Sequence, residues 1–546
     1  MVLCCPRRFL QSCSSSLTEH QLSKLHRDDF PENFVFGVAT SAYQVEGAVF
    51  TDGRSMSIWD SFSHIPGNIY DHSTGDVACD HYHLYKDDIQ LMVDLGIDAY
   101  RLSISWSRIL PDNTGVVNKV GVAFYNTVIN ELIHKGIEPY VTLYHWDMPQ
   151  YLENDPQVKG WRTREIITHF MYFAETCFKL FGDRVKNWIT INELWSLAVN
   201  GYGTGQNAPG RCSAICGTWK KSYIGDSATE PYVVAHNALL SHAAVVKIYR
   251  DQFQSEQQGR IGLVLNSKWY EPYTEEKQNI SAAQRCLESE LAWFLDPLFL
   301  GDYPLSMKIS VGSRLPAFTE DESNLVIRSA DFIGINYYTA LYAQDSEEEL
   351  DPSLKWYSTD RKASCSSIGP DGELIGEAMG PPDIGWINDC PWGLRRMLAW
   401  MQMRYGKEEF QACPIIISEN GCSDPELNIS VKKAKRDEWR VRYIHGALQN
   451  LLHAIRNDGC NVQGYFLWSL LDNFEWADGL VTRFGIYYVH HERNLKREPK
   501  LSAIWYQNFL RRTLFYSPSR NLKNFFSRHK ICSKQSRRIT EGTDLA

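Results

Sequence analysis

The chain has 546 residues, 44% of them hydrophobic and 22% charged, which is enough apolar material for a large core and an ordinary charge density for a globular protein. The net charge of −9 argues against nucleic acid as the main partner, and no stretch of about 18 apolar residues offers a membrane span. The 14 cysteines are spread along the chain rather than packed as in small disulfide scaffolds, so most read as buried free thiols.

In chain order, residues 1–28 form a leader expected to be disordered. Its start, MVLCCPRRFLQSCSSSLT, carries Arg and Ser but no acid, and its apolar run is too short and interrupted for a secretory signal. It reads either as an organelle leader or as an untargeted tail, with a cytoplasmic location favoured over organelle or secretory targeting. Short apolar runs then recur: FVFGVAT (34–40), AYRLSIS (99–105), EPYVTLYHW (138–146), VKNWITINE (185–193), IGLVLNSKW (261–269), DFIGINYYT (331–339), PIIISENG (414–421) and VQGYFLWSL (462–470). Each is bounded by polar or turn residues and rich in β-branched or aromatic side chains, as buried parallel strands are. Helical patterns lie between them. Residues 84–96 and 123–136 are two, each closing on a glycine, Gly96 and Gly136. Eight strands alternating with helices predict an α/β chain forming a single (β/α)₈ TIM barrel with long βα loops over residues 29–512; an open doubly wound sheet is the alternative. Residues 513–546 form a basic, polar tail expected to lie outside the packed domain. Sequons at Asn279 and Asn428 carry little weight, because such triplets arise readily by chance.

Polar and aromatic residues collect at the C-terminal ends of the runs: His145-Trp146, Asn192-Glu193, Asn336-Tyr337-Tyr338, Glu419-Asn420 and Trp468. In a barrel that end is the active-site face. Packing needs no carboxylate at the end of an apolar strand, yet Glu193 closes WITINE and Glu419 closes PIIISE. Burial raises a carboxyl pKa, and two such groups facing one another differentiate into an acid and a base. Glycoside cleavage needs that pair. For either Glu alone, a buried carboxylate satisfied by a neighbouring Arg is the structural alternative. The 13% aromatic content, with 17 Trp and 28 Tyr, suits a site that grips flat, half-apolar ligands such as sugars, although core packing uses the same residues.

TINEL (190–194), ISENG (417–421), GVATSAYQVEGA (37–48), YRLSISWSRILP (100–111), LYHWDMPQ (143–150), GINYYT (334–339) and LWSLLDNFEW (467–476) resemble motifs of glycoside hydrolase family one, the β-glucosidase family. The likeness spans residues 29–512, and APGRC (208–212) with residues 225–243 looks like its plant members. The resemblance implies a (β/α)₈ barrel with Glu193 as general acid/base after strand four and Glu419 as nucleophile after strand seven. It implies that Asn192 bonds the sugar 2-hydroxyl, a contact that strengthens in the transition state. Tyr338 and Arg101 would orient Glu419 and favour its anion, and Asn336 would orient the pair. Gln44, His145 and Glu475 would hold the sugar hydroxyls, Trp468 and Trp476 would line the sugar pocket, and Trp386 would stack on the leaving group. The implied partner is a small-molecule β-glucoside, with no cofactor and no metal; no oligomeric state is implied. The charge of Glu475 disfavours a 6-phosphate, which points to an unphosphorylated glucose with fucose or galactose tolerated.

Departures from the pattern are Ala477, where plant relatives carry a bulky residue, which predicts a wider aglycone wall, and Cys390-Pro-Trp in place of Tyr-Pro. Cys212 and Cys216 stand closer than the loop cysteines of most plant relatives, which speaks against a disulfide between them in a reducing compartment. Asp80-His81-Tyr82-His83 could be read as metal ligands, but the stretch matches a structural part of the family pattern. No Gly-rich phosphate loop stands between a strand and a helix. Three functions are in competition: hydrolysis of β-glucosides by double displacement, transfer of the glycosyl group to another acceptor by the same residues, and an inactive sugar-binding homologue. Relatives of the last kind have lost one of the two glutamates, and both are present here.

Overall fold

All eight apolar runs are strands of one closed parallel barrel. A computed structural model describes residues 25–213, 224–346, 355–406, 408–427 and 429–511. The strands are β1 (Val35–Ala39), β2 (Ala99–Ser103), β3 (Glu138–Tyr144), β4 (Asn187–Asn192), β5 (Arg260–Asn266), β6 (Phe332–Asn336), β7 (Ile415–Asn420) and β8 (Val462–Trp468). Each pairs with its sequence neighbours, and β8 returns to β1 through a register running from Val35↔Gly464 to Ala39↔Trp468. A doubly wound sheet would reverse its strand order, which this closed sequential order does not do. Every residue of β2, β4, β6 and β7 is buried, because barrel strands are covered inside by one another's side chains and outside by helices.

The helices form the outer ring. Helix α1 (His81–Leu95) ends at Gly96, whose φ of +77° suits a residue without a Cβ. Helix α2 (Lys119–His134) starts four residues before the expected 123, because the Asn118 side chain accepts from the Val120 N–H at 3.2 Å and caps it. Helix α3 (Glu165–Phe181) follows β3, and α4 (Glu230–Ile248) follows β4. Beyond β5 and β6 the chain adds a three-stranded sheet from Trp269–Pro272, Ala340–Asp345 and Ala363–Ser366. Both excursions start at the C-terminal ends of their strands, on the side where the site lies.

Packing begins ahead of the expected boundary at residue 29. Leu25 is buried, and so is Arg27, which reaches Asp98 beside β2 at 2.8 Å. Asn279 is buried and bonded at both ends of its amide, to Thr274 and to the Asp345 N–H, so this sequon is spent on structure. The rest of the leader, the basic tail, Asn428 and Cys216 lie outside the described residues, and with Cys216 the question of its pairing with Cys212. Among the described residues no helix is long and apolar enough to cross a membrane.

Candidate active site

The two glutamates sit where their strands depart from regular pairing. The register of β4 against β5 shifts between Ile189 and Asn192, and that of β7 against β6 shifts between Ile417 and Glu419. Such irregularities re-aim side chains at barrel rims. Glu193 adopts φ +48°, uncommon for a residue with a Cβ, and its N–H donates to the Val264 carbonyl at 2.9 Å. Behind Glu419, the glycine of ISENG is dictated by space: a Cβ on Gly421 would lie 1.8 Å from the Trp468 carbonyl oxygen.

A chain of hydrogen bonds joins the two carboxylates. Arg101, buried on β2, donates to Glu419 Oε1 at 2.5 Å and to Asn192 Oδ1 at 2.7 Å. Asn336, at the end of β6, donates to the same Asn192 oxygen at 3.2 Å and to Glu193 Oε1 at 2.7 Å. Ser418 holds the other end of the Asn336 amide at 2.7 Å. Tyr338 donates to Glu419 Oε2 at 2.7 Å. Ser196, in the turn that follows Glu193, donates to Glu193 Oε2 at 2.7 Å.

These partners make the carboxylates unlike. Glu419 has a guanidinium and a phenol as donors, and a charge-assisted pair with Arg is both strong and directional. Glu193 has only the neutral Asn336 and Ser196. Burial, reinforced by the negative charge of Glu419, pushes the Glu193 carboxyl up to about 7. Glu475 is also held well above the ordinary carboxyl range, by burial first and then by Asp478, Glu419 and Glu193. Burial and the nearby Arg101 push His145 well below its ordinary value, so the ring is neutral. Its Nε2 meets the Asn192 amide nitrogen at 3.1 Å. The ring lies nearly parallel to both Trp468 and Trp476, with centroids 6.0 and 5.8 Å away.

Above the pair opens a cavity of about 350 Å³, within the size range of small-ligand sites. Of the twelve residues expected at the site, His145, Glu193, Asn336, Tyr338, Trp386, Glu419, Trp468, Glu475 and Trp476 line it. The other three, Gln44, Asn192 and Arg101, are buried and bonded to residues that do. Gln44 takes a hydrogen bond from Ser41 at 2.6 Å and donates to Glu475 and Asn473 at 3.3 and 3.2 Å. Trp386 stands at the mouth, 48% exposed, edge-on to Tyr338. Ala477 also lines the cavity.

Sequence reasoning missed five lining residues that matter to the electrostatics: Ser196, Asn266, Lys268, Glu290 and Asp478. Asn266 donates to Ser196 at 3.1 Å, and Lys268 pairs with the buried Glu290 at 3.0 Å while lying over the Trp195 ring. Ser196 stands one helical turn after Glu193, and Asn266 and Lys268 close the fifth apolar run, so the strand-end rule applied to that run would have found both. The residues of the metal reading are engaged in pairs. His81 pairs with Asp88 at 2.8 Å and His83 with Asp80 at 2.5 Å. Among the described residues no group of three His, Cys, Asp or Glu is placed to hold a metal ion.

Comparison with known proteins bears on the family and the fold. Residues 26–514 match the family described as Glycosyl hydrolase family 1. Beta-glucosidase 34 of Oryza sativa subsp. japonica is 48% identical over 92% of this chain and 95% of its own length. Beta-glucosidase 40 of Arabidopsis thaliana is 46% identical over 90% and 94%. The crystal structure of rice Os3BGlu6 β-glucosidase superposes with a TM-score of 0.85 at 46% identity, covering 89% of this chain and all of that one. A mutant of that rice enzyme, in a covalent complex with Glc, matches equally well. With the barrel and its paired carboxylates on one side and this likeness along nearly the whole chain on the other, the protein belongs to glycosyl hydrolase family 1.

Proposed function

We propose that the chain is a retaining β-glucosidase that releases terminal non-reducing β-D-glucosyl residues from aryl or alkyl glucosides or short oligosaccharides. The observation that carries this reading is the contrast between the two carboxylates in one cavity. Glu193, raised to about 7, can still hold a proton near neutrality and give it to the departing oxygen. Glu419, gripped by Arg101 and Tyr338, is aimed as the nucleophile. Attack of Glu419 on the anomeric carbon breaks the glycosidic bond as Glu193 protonates the leaving group, leaving a glycosyl ester on Glu419. Glu193, now a carboxylate, takes a proton from water as the water displaces that ester, so two inversions give net retention. The covalent complex with Glc in the rice relative supports the ester intermediate.

The remaining groups fit a neutral sugar. The Asn192 oxygen is occupied by Arg101 and Asn336 and one amide N–H by His145, which leaves the second N–H as a donor for the 2-hydroxyl. Sugar hydroxyls donating to Glu475 would offset the burial that now favours its protonated form. Glu475, once sugar hydroxyls favour its anion, would repel a phosphate placed beside it in the cavity, and an uncharged, glucose-like ring meets no such repulsion. The test uses an aryl β-glucoside. Glu419→Gln should lower turnover by at least about 10³-fold. Glu193→Ala with azide should give the β-glycosyl azide. Wild-type turnover in the first variant, or an α-azide from the second, overturns the reading.

A further inference from the structure

Cys286 and Cys365 lie 79 residues apart in sequence and 3.7 Å apart at their sulfurs. Cys286 is buried in the last turn of the helix Lys277–Leu287. Cys365 is half-buried on the strand Ala363–Ser366, opposite Ala343. A disulfide needs sulfurs about 2.05 Å apart, so closure asks for an approach of about 1.6 Å. The two elements are already fixed against each other, because Arg285, next to Cys286, donates to the Arg361 carbonyl at 3.0 Å and the Lys362 carbonyl at 2.6 Å. Nothing in the glycosidase chemistry uses this pair.

The sulfurs are also unlike. The hydrogen bond that the two thiols share lowers the Cys365 thiol, with Arg361 and Lys268 adding to the effect against burial and Glu290. The same bond, followed by burial, holds up Cys286. By contrast, burial holds up Cys79, Cys177, Cys390, Cys413, Cys422 and Cys460. A partly accessible, thiolate-prone sulfur beside a resolving cysteine is the arrangement of peroxide-reactive cysteines.

We propose that Cys286 and Cys365 form a reversible redox pair that hydrogen peroxide closes into a disulfide, tying the helix Lys277–Leu287 to the three-stranded sheet beside the cavity wall. The Cys365 sulfur attacks a peroxide oxygen and the O–O bond breaks. The leaving hydroxide takes a proton to become water, and Cys365 is left as a sulfenic acid. Cys286 then attacks that sulfur, the S–S bond forms and the S–O bond breaks, and the departing oxygen leaves as water with the Cys286 proton. In sum, two thiols and one peroxide give one disulfide and two waters.

The test takes the full-length enzyme, fully reduced, treated with hydrogen peroxide and then alkylated. Peptide mapping without reductant should yield a linked Cys286–Cys365 peptide, about 2 Da lighter than its two halves, and dithiothreitol should release it. The oxidised enzyme should melt about 2–5 °C higher. In Cys286→Ser, Cys365 should be trapped as a sulfenic acid by a 1,3-diketone while aryl glucoside turnover reports that the variant is folded. The proposal falls if wild-type protein returns both peptides singly alkylated after peroxide, or if Cys365 goes to sulfinic acid while Cys286 stays reduced.

Discussion

Replacing Glu193 with glutamine separates what the residue does for catalysis from what it costs the fold. The carboxyl rises from its ordinary 4.5 to about 7, with burial the first cause and Glu419 the second, and its side chain is almost wholly buried. At about 1.4 kcal/mol per pH unit, the ionised form is disfavoured in the native protein by about 3 kcal/mol. Below pH 4.5 the group is protonated whether the chain is folded or not, and no penalty applies. Between 4.5 and about 7 the unfolded chain releases its proton while the folded chain keeps it, so stability falls as pH rises through that window. Above about 7 the full penalty is present. The neutral amide of Glu193→Gln carries no such term. Its Oε1 can still accept from Asn336, and the Ser196 hydroxyl can turn to accept from its nitrogen. Denaturant titrations of both proteins from pH 4 to 8 should therefore show the variant gaining on the wild type by up to about 3 kcal/mol, all of it between pH 4.5 and 7. In parallel, kcat/KM of the wild type should decline above pH 7 as the acid is lost. With an activated aryl glucoside, whose leaving group needs no proton, the variant should lack that decline. A stability difference that stays flat from pH 4 to 8, or an alkaline limb that persists unmoved in the variant, refutes the argument.

Tyr338→Phe removes one donor from Glu419 and leaves Arg101 in place; the loss of a hydrogen bond to a charged group predicts a fall of about 10- to 100-fold in kcat/KM on an aryl glucoside, and a fall under twofold would mean the phenol does not position the carboxylate. Trp386→Ala removes the platform at the cavity mouth and should raise KM for aryl glucosides about three- to tenfold while changing that for methyl glucoside little; equal effects on both would place the ring outside the leaving-group site. Gly421→Ala drives a methyl group into the Trp468 carbonyl at 1.8 Å, so soluble expression or melting temperature should fall sharply, and a variant with wild-type stability would show that the β7 and β8 ends can move apart.

Much of the barrel and its chemistry was legible along the chain, since strand existence and strand ends are local properties. Runs such as PIIISENG combine β-branched residues with a turn signal, so β7 and its terminal Glu419 follow from order alone. Helix starts were less legible: α2 begins at Lys119 because Asn118 supplies a side-chain cap, a polar signal outside the apolar period that marks 123–136. Gln44 illustrates a further limit. Its motif places it at the sugar site, but its amide donates to Asn473 and Glu475, 429 and 431 residues away.

The sequence by itself determined that eight apolar strands alternate with helices and that two carboxylates, Glu193 and Glu419, end two of those strands. Period and residue type carry that information without reference to anything distant. The family resemblance implied a role for each carboxylate, but only the tertiary structure brought together the surroundings that make the two physically different. Their identities are the same and their strands alike. Arg101 and Tyr338 converge on one, Asn336 and Ser196 on the other, and the burial that raises Glu193 is produced by the closed barrel as a whole. Charge state and proton affinity belong to the surroundings of a group, and closure of the barrel is what brings those surroundings together.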